Sequence, residues 1–171
     1  MTMQSESARM ASAAEARFRI DAPNSKPRAI KIIALDAPAE RVVKRLAQAS
    51  WKHATFFTAS AFAGAPAQGE SFSMTGWLSD VAGRTKSLID EVASADLVVM
   101  VATAGENATA AAIIGEAASA KRINTTGLII GAGASDEALS KTLAQLRPWS
   151  LMLVIASADD YIEDMLVALR A

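Results

Sequence analysis

From residue 29 onward the chain alternates between two hydrophobic periods. Runs in which most positions are apolar and many are β-branched occupy residues 29–35, 54–58, 97–102, 126–130 and 151–156, the pattern of strands buried on both faces. Between them the apolar positions recur at three and four. Val42, Val43, Leu46 and Ala47 form one stripe, and Leu78, Val81, Thr85, Leu88, Ile89 and Val92 a second. Ile113, Ile114 and Ala117 follow, then Leu139, Leu143 and Leu146, then Tyr161, Ile162, Met165, Leu166 and Leu169. Such spacing predicts amphipathic helices. Strand then helix, repeated along the chain, implies an α/β fold: a single doubly wound, mainly parallel five-stranded sheet with helices on both faces. The repeats are too few for a closed barrel. Right-handed crossovers then bring the strand C-termini to one edge.

A length of 171 residues suits one such domain. Residues 29–171 are assigned to it and residues 1–28 to a flexible N-terminal arm, rich in Ala, Ser and Arg, in which residues 18–20 are the only strand candidate. No stretch approaches the roughly 20 apolar residues of a membrane span or has the layout of a signal peptide, so a cytoplasmic, soluble protein is expected. Residues 59–73 form one long connection rich in Gly, Ala and Ser around Pro66, a candidate lid, partner-binding insertion or plainly disordered segment. Phe72 and Trp77 beside it are read as core aromatics flanking the second helical stripe.

Charge and composition narrow the chemistry. With 17 basic against 18 acidic side chains there is no global field to attract nucleic acid or an anionic membrane. The absence of cysteine removes thiolate nucleophiles, disulfides and thiolate zinc sites. The single histidine, His53, falls at the entry of the second strand, opposite the edge where an open α/β sheet binds ligands, and its expected role is structural.

Five loops make up that edge, and polar residues gather in them. Asp36, Asn107, Ser135 and Ser157 occupy expected N-cap positions, with Ser157 and Asp160 as a variant capping box. The turn Thr103, Gly105, Glu106, Asn107 and the turn Gly131, Gly133, Ser135 carry the small residues that let backbone amides approach an anion. Neither is a nucleotide fingerprint: Asp136 stands where the third glycine of G-x-G-x-x-G belongs, and no G-K-[ST] occurs. Asp36, Glu106, Asp136, Asp159 and Asp160 crowd the same edge with carboxylates. Either a divalent cation intervenes, with Asp36 and Glu106 as the candidate metal ligands, or the edge binds something neutral or cationic. Arg84 and Lys86 are the basic residues nearest the long loop.

The segment ADLVVMVATAGENATAAAIIGEAASAKRINTTGLII, about residues 95–130, resembles the sugar isomerase domain of phosphosugar-binding proteins. Asp96, Gly105, Glu106, Lys121 and Gly127 match the family's pattern, while its three phosphate-holding hydroxyl positions are Ala102, Ala104 and Asn107 here. The resemblance implies an α/β sheet with a phosphosugar at the turn after the third strand. The same stretch also looks like the ADMVFVTAG segment of tubulin and the bacterial cell-division GTPases, without the glycine-threonine run that follows it there.

The leading expectation is a non-catalytic domain that binds a small molecule, a phosphorylated metabolite being one class, through Thr103, Gly105, Glu106, Asn107, Gly131, Gly133 and Ser135. Its alternatives are an interaction or assembly subunit with a degenerate site, suggested by Ala102, Ala104, Ala108 and Ala110, and a magnesium-dependent enzyme acting on a phosphorylated substrate. No particular cofactor is indicated. A homo-oligomer is expected, joined through the Ala-rich helix at 108–120 or through the final helix with Met165, Leu166 and Leu169.

Overall fold

The computed structural model describes residues 28–59, 77–80 and 85–171. Residues 1–27 of the expected N-terminal arm, most of the long connection, Phe72, Val81 and Arg84 lie outside the described residues. Strand β1 (Ile30–Ala34) leads through α1 (Ala37–Leu46) into β2 (Ala54–Thr58), and β3 (Trp77–Asp80) and β4 (Thr85–Ser87) precede α2 (Leu88–Ala93). The second half alternates β5 (Leu97–Thr103), α3 (Ala110–Ala120), β6 (Asn124–Ile130), α4 (Asp136–Leu146), a 3₁₀ turn at Arg147–Trp149, β7 (Met152–Ala156) and α5 (Asp159–Ala168).

Seven strands among the described residues join in the order β4-β3-β2-β1-β5-β6-β7. Five of them, β2-β1-β5-β6-β7, are parallel, while β3 and β4 add an antiparallel edge. The five parallel strands are those expected from the apolar runs. The five-strand count is too low, and the helix expected across Leu78 to Val92 is shorter than its stripe. Trp77–Asp80 and Thr85–Ser87 pair as a hairpin, and the helix begins only at Leu88, where Ser87 Oγ accepts from the Asp90 amide at 3.5 Å. A spacing of three and four there straddles strand, turn and helix start.

Alternation along the central strands sends side chains to opposite faces. Ile33, Leu35, Phe57, Val98, Met100 and Ala102 join a buried cluster with α2, α3 and α4. Ile30, Ile32, Ala34, Phe56, Val99 and Val101 join a second with α1 and α5. Lys31 is the polar exception within β1; its ammonium pairs with Glu91 on α2 at 3.0 Å and lies 5.6 Å from the centre of the Phe57 ring.

The final helix directs Ile162 and Leu166 into its own core, with Met165 and Leu169 packed beside them. The α3 residues Ala111, Ile114, Gly115 and Ala118 are buried likewise. Much of the apolar surface expected to join two copies is therefore already covered within the chain. No helix of the described residues is long and apolar enough to cross a membrane.

Candidate functional site

The strand order reverses between β1 and β5, where the chain leaves toward β2 on one side and returns toward β7 on the other. A crevice beyond the strand ends at such a reversal is the usual ligand position of an open α/β sheet. Here the two strand ends are tied together. Asp36, which follows β1 and is 6% exposed, accepts from the Thr103 amide at 2.7 Å through Oδ2. Its Oδ1 accepts from Thr103 Oγ1 at 2.9 Å and, as the N-cap of α1, from the Ala39 amide at 2.8 Å. Both carboxylate oxygens of the first metal-ligand candidate are thus engaged within the protein.

The turn after β5 is docked onto α4. Gly105, at φ +89°, donates its amide to Thr142 Oγ1 at 2.9 Å and to the Ala138 carbonyl at 3.0 Å. Its own carbonyl accepts from Lys141 Nζ at 3.2 Å. The Ala108 amide goes to Gln145 Oε1 at 2.7 Å, the Ala104 amide to Ile130 O and the Glu106 amide to Thr103 O. The amides of an anion cradle are mostly held by internal acceptors, and Thr142, fully buried, is the hub of that arrangement.

The remaining candidates divide. Ser135 caps α4, its Oγ accepting from the Ala138 amide at 3.2 Å. Gly105 and the start of α4 therefore meet at Ala138. Gly131 is half-buried with its amide on Ala156 O, whereas Gly133, at φ +68°, has open space around it. Glu106 and Asn107 are exposed. Asn107 is not the cap of α3: its Oδ1 accepts from the Thr109 amide at 3.0 Å, and the N-cap position falls to Thr109. Ser157 is not a cap either, because Ala158 occupies that position in α5 with no side-chain bond. The helix in each case begins a residue or two later than the polar residue suggests.

His53 precedes β2, and its carbonyl accepts from the Ile30 amide at 2.8 Å, at the strand-entry end of the sheet. Among the described residues no group of three or more His, Cys, Asp or Glu is placed to hold a metal ion.

One open depression of about 400 Å³ lies at the carboxyl edge on the α1 side, lined by Pro38, Arg41, Val42, Arg45, Thr103 and Ile130. Of these residues, Thr103 alone belongs to the turns that the sequence marks as candidate ligand contacts. Arg41 and Arg45, four apart, share one face of α1. That spacing is readable in the sequence, but their approach to Thr103 depends on the packing of α1 across the sheet. Two arginines line the depression together with Pro38, Val42 and Ile130, a set of residues suited to an anionic group joined to a carbon skeleton.

No protein-family model matches this chain, and no curated protein matches it.

Proposed function

We propose that the protein is a doubly wound, Rossmann-like binding domain whose ligand is a small anionic metabolite, a phosphorylated compound being the favoured class, held without turnover. The observation that carries this reading is the pair Arg41 and Arg45 on the depression beside Thr103. Guanidinium groups provide fixed, charge-assisted donors. The amides of Thr103, Gly105 and Ala108 already have acceptors within the chain, so an anion contact at this edge falls to side chains. A cytoplasmic location suits such a ligand. The magnesium-dependent alternative is weakened by the engagement of Asp36.

Calorimetric titration with inorganic phosphate, sugar phosphates and nucleotides tests the proposal. Binding by at least one of these is expected, weakened by added salt and lost in the double variant Arg41→Ala, Arg45→Ala, while His53→Gln retains it. Heat of binding that survives removal of both arginines refutes the site, and silence toward every anion refutes the ligand class. A second reading, an assembly subunit with a degenerate ligand site, draws support from the turn at 103–108, which is fastened to α4. Under that reading no anion shifts the melting temperature and a protein co-purifies.

A further inference from the structure

We propose that β7 is the seam of a homodimer, pairing antiparallel with β7 of a second copy about a two-fold axis near Val154. Among the described strands β7 has a neighbour, β6, on one side only, so half of its backbone donors and acceptors face outward. Edge strands are ordinarily protected by lysine, proline, a bulge or an inward-pointing charge. The β7 sequence MLVIA has no charged residue and no proline. Apolar side chains stand open along this edge: Met152 is 44% exposed, Ile155 47% and the preceding Leu151 78%, while Leu153 and Val154 are half-buried and Ala156 is buried.

Charge identifies the second copy as the occupant. The chain enters β7 from a basic end, with exposed Arg147 in the preceding 3₁₀ turn and Lys121 and Arg122 before β6. It leaves into an acidic end, where Asp160, Glu163 and Asp164 are exposed on α5. A strand with opposite charges at its two ends is self-complementary when paired antiparallel and self-repelling when paired parallel. An isologous two-fold contact supplies the antiparallel arrangement and leaves no further edge for growth at that seam. Centring on Val154 sets Leu153 against Ile155 and Met152 against Ala156, each pair twice and each on one face of the joined sheet.

The test uses the full chain, which contains no cysteine. Light scattering at tens of micromolar should give the dimer mass, and Leu151→Lys, at a position already open to solvent, should shift it to monomer with its circular dichroism unchanged. Arg147→Glu and Asp160→Arg should each weaken the dimer at least tenfold, and the two together should recover most of the loss. Val154→Cys should give a disulfide-linked dimer on mild oxidation. Leu151→Cys should not, because the two copies of residue 151 would lie about 20 Å apart in that register. A monomer at this concentration, open-ended oligomers, a dimer indifferent to Leu151→Lys, or equal cross-linking at both cysteines overturns the proposal.

Discussion

Asp36 and Thr103 close the sheet at its strand-order reversal, the carboxylate of one taking both the amide and the hydroxyl of the other. The same carboxylate caps α1, so a single side chain joins the ends of β1 and β5 to the helix beside the depression. Asp36→Ala removes a cap and leaves the Thr103 amide without its acceptor at a nearly buried position. The expected loss is on the order of 3 kcal/mol. Thr103→Val gives up the hydroxyl bond alone and should cost about 1 kcal/mol. Urea denaturation of the two variants checks the ranking, and an Asp36→Ala protein no weaker than Thr103→Val contradicts it.

Gly105 and Thr142 make the second prediction. A Cβ at Gly105 would approach Ala138 Cβ to 3.2 Å, and φ there is +89°. Gly105→Ala should therefore destabilise the fold by about 1–3 kcal/mol through backbone strain. Thr142→Val keeps the volume of a fully buried side chain but removes the hydroxyl that accepts from Gly105. Because the Gly105 amide also reaches Ala138 O, the cost should stay near 1 kcal/mol. Hydrogen exchange should accelerate at Gly105 and the neighbouring turn amides more than in the strands. Unchanged exchange in that turn would show that Thr142 is not its anchor.

The parallel part of the sheet is legible in the sequence because strands buried on both faces leave continuous apolar runs, and β1, β5 and most of β6 fit that description. The hairpin of β3 and β4 is not, because an apolar position every three or four residues can come from a strand joined to a helix as well as from a helix alone. Ser87, three residues ahead of Asp90, holds the local signal for the true helix start. Turn residues mark the ligand edge, yet the amides of Gly105 and Ala108 face α4 through Thr142 and Gln145. Those partners lie more than thirty residues away from Gly105 and Ala108 along the chain, so no local pattern announces them. Arg41 and Arg45 enter the candidate site by the same kind of long-range packing.

Two helix ends close with arginine where glycine is usual. After α3, Arg122 has φ 56° and Ile123 donates to Ala118 O; after α5, Arg170 has φ 62° and Ala171 donates to Leu166 O. Both are Schellman ends with a left-handed residue just past the cap. An L side chain there costs roughly 1 kcal/mol, while the arginine charge near a helix C-terminus returns part of that. Comparing two uncharged replacements separates the effects. Arg122→Gly should be more stable than Arg122→Ala by about 1 kcal/mol, the reverse of their order inside a helix. Thermal melts in one buffer decide the matter, and an alanine variant equal to or better than the glycine variant contradicts the strained-cap account.

Ser150, two residues before β7, and Gly127, in the middle of β6, form a mismatched pair. Among the described residues Ser150 Oγ is buried without a hydrogen-bond partner, and a Cβ added at Gly127 would come within 2.6 Å of it. The glycine leaves room for a hydroxyl that gains nothing from its position. Ser150→Ala should thus be neutral or stabilising by up to about 1 kcal/mol, since it removes a desolvated group. Gly127→Ala alone should bring little benefit, because the reduced chain entropy of alanine in a strand is offset by the clash. With Ser150→Ala in place the obstructing oxygen is gone and the next atom, Ser150 Cβ, stands at 3.4 Å. The double variant should then exceed the wild type by about 1–2 kcal/mol, with a favourable coupling near 1 kcal/mol in a double-mutant cycle. Strict additivity of the two single changes would show that the close approach is relieved by rotation of the serine, and that Gly127 is present for some other reason.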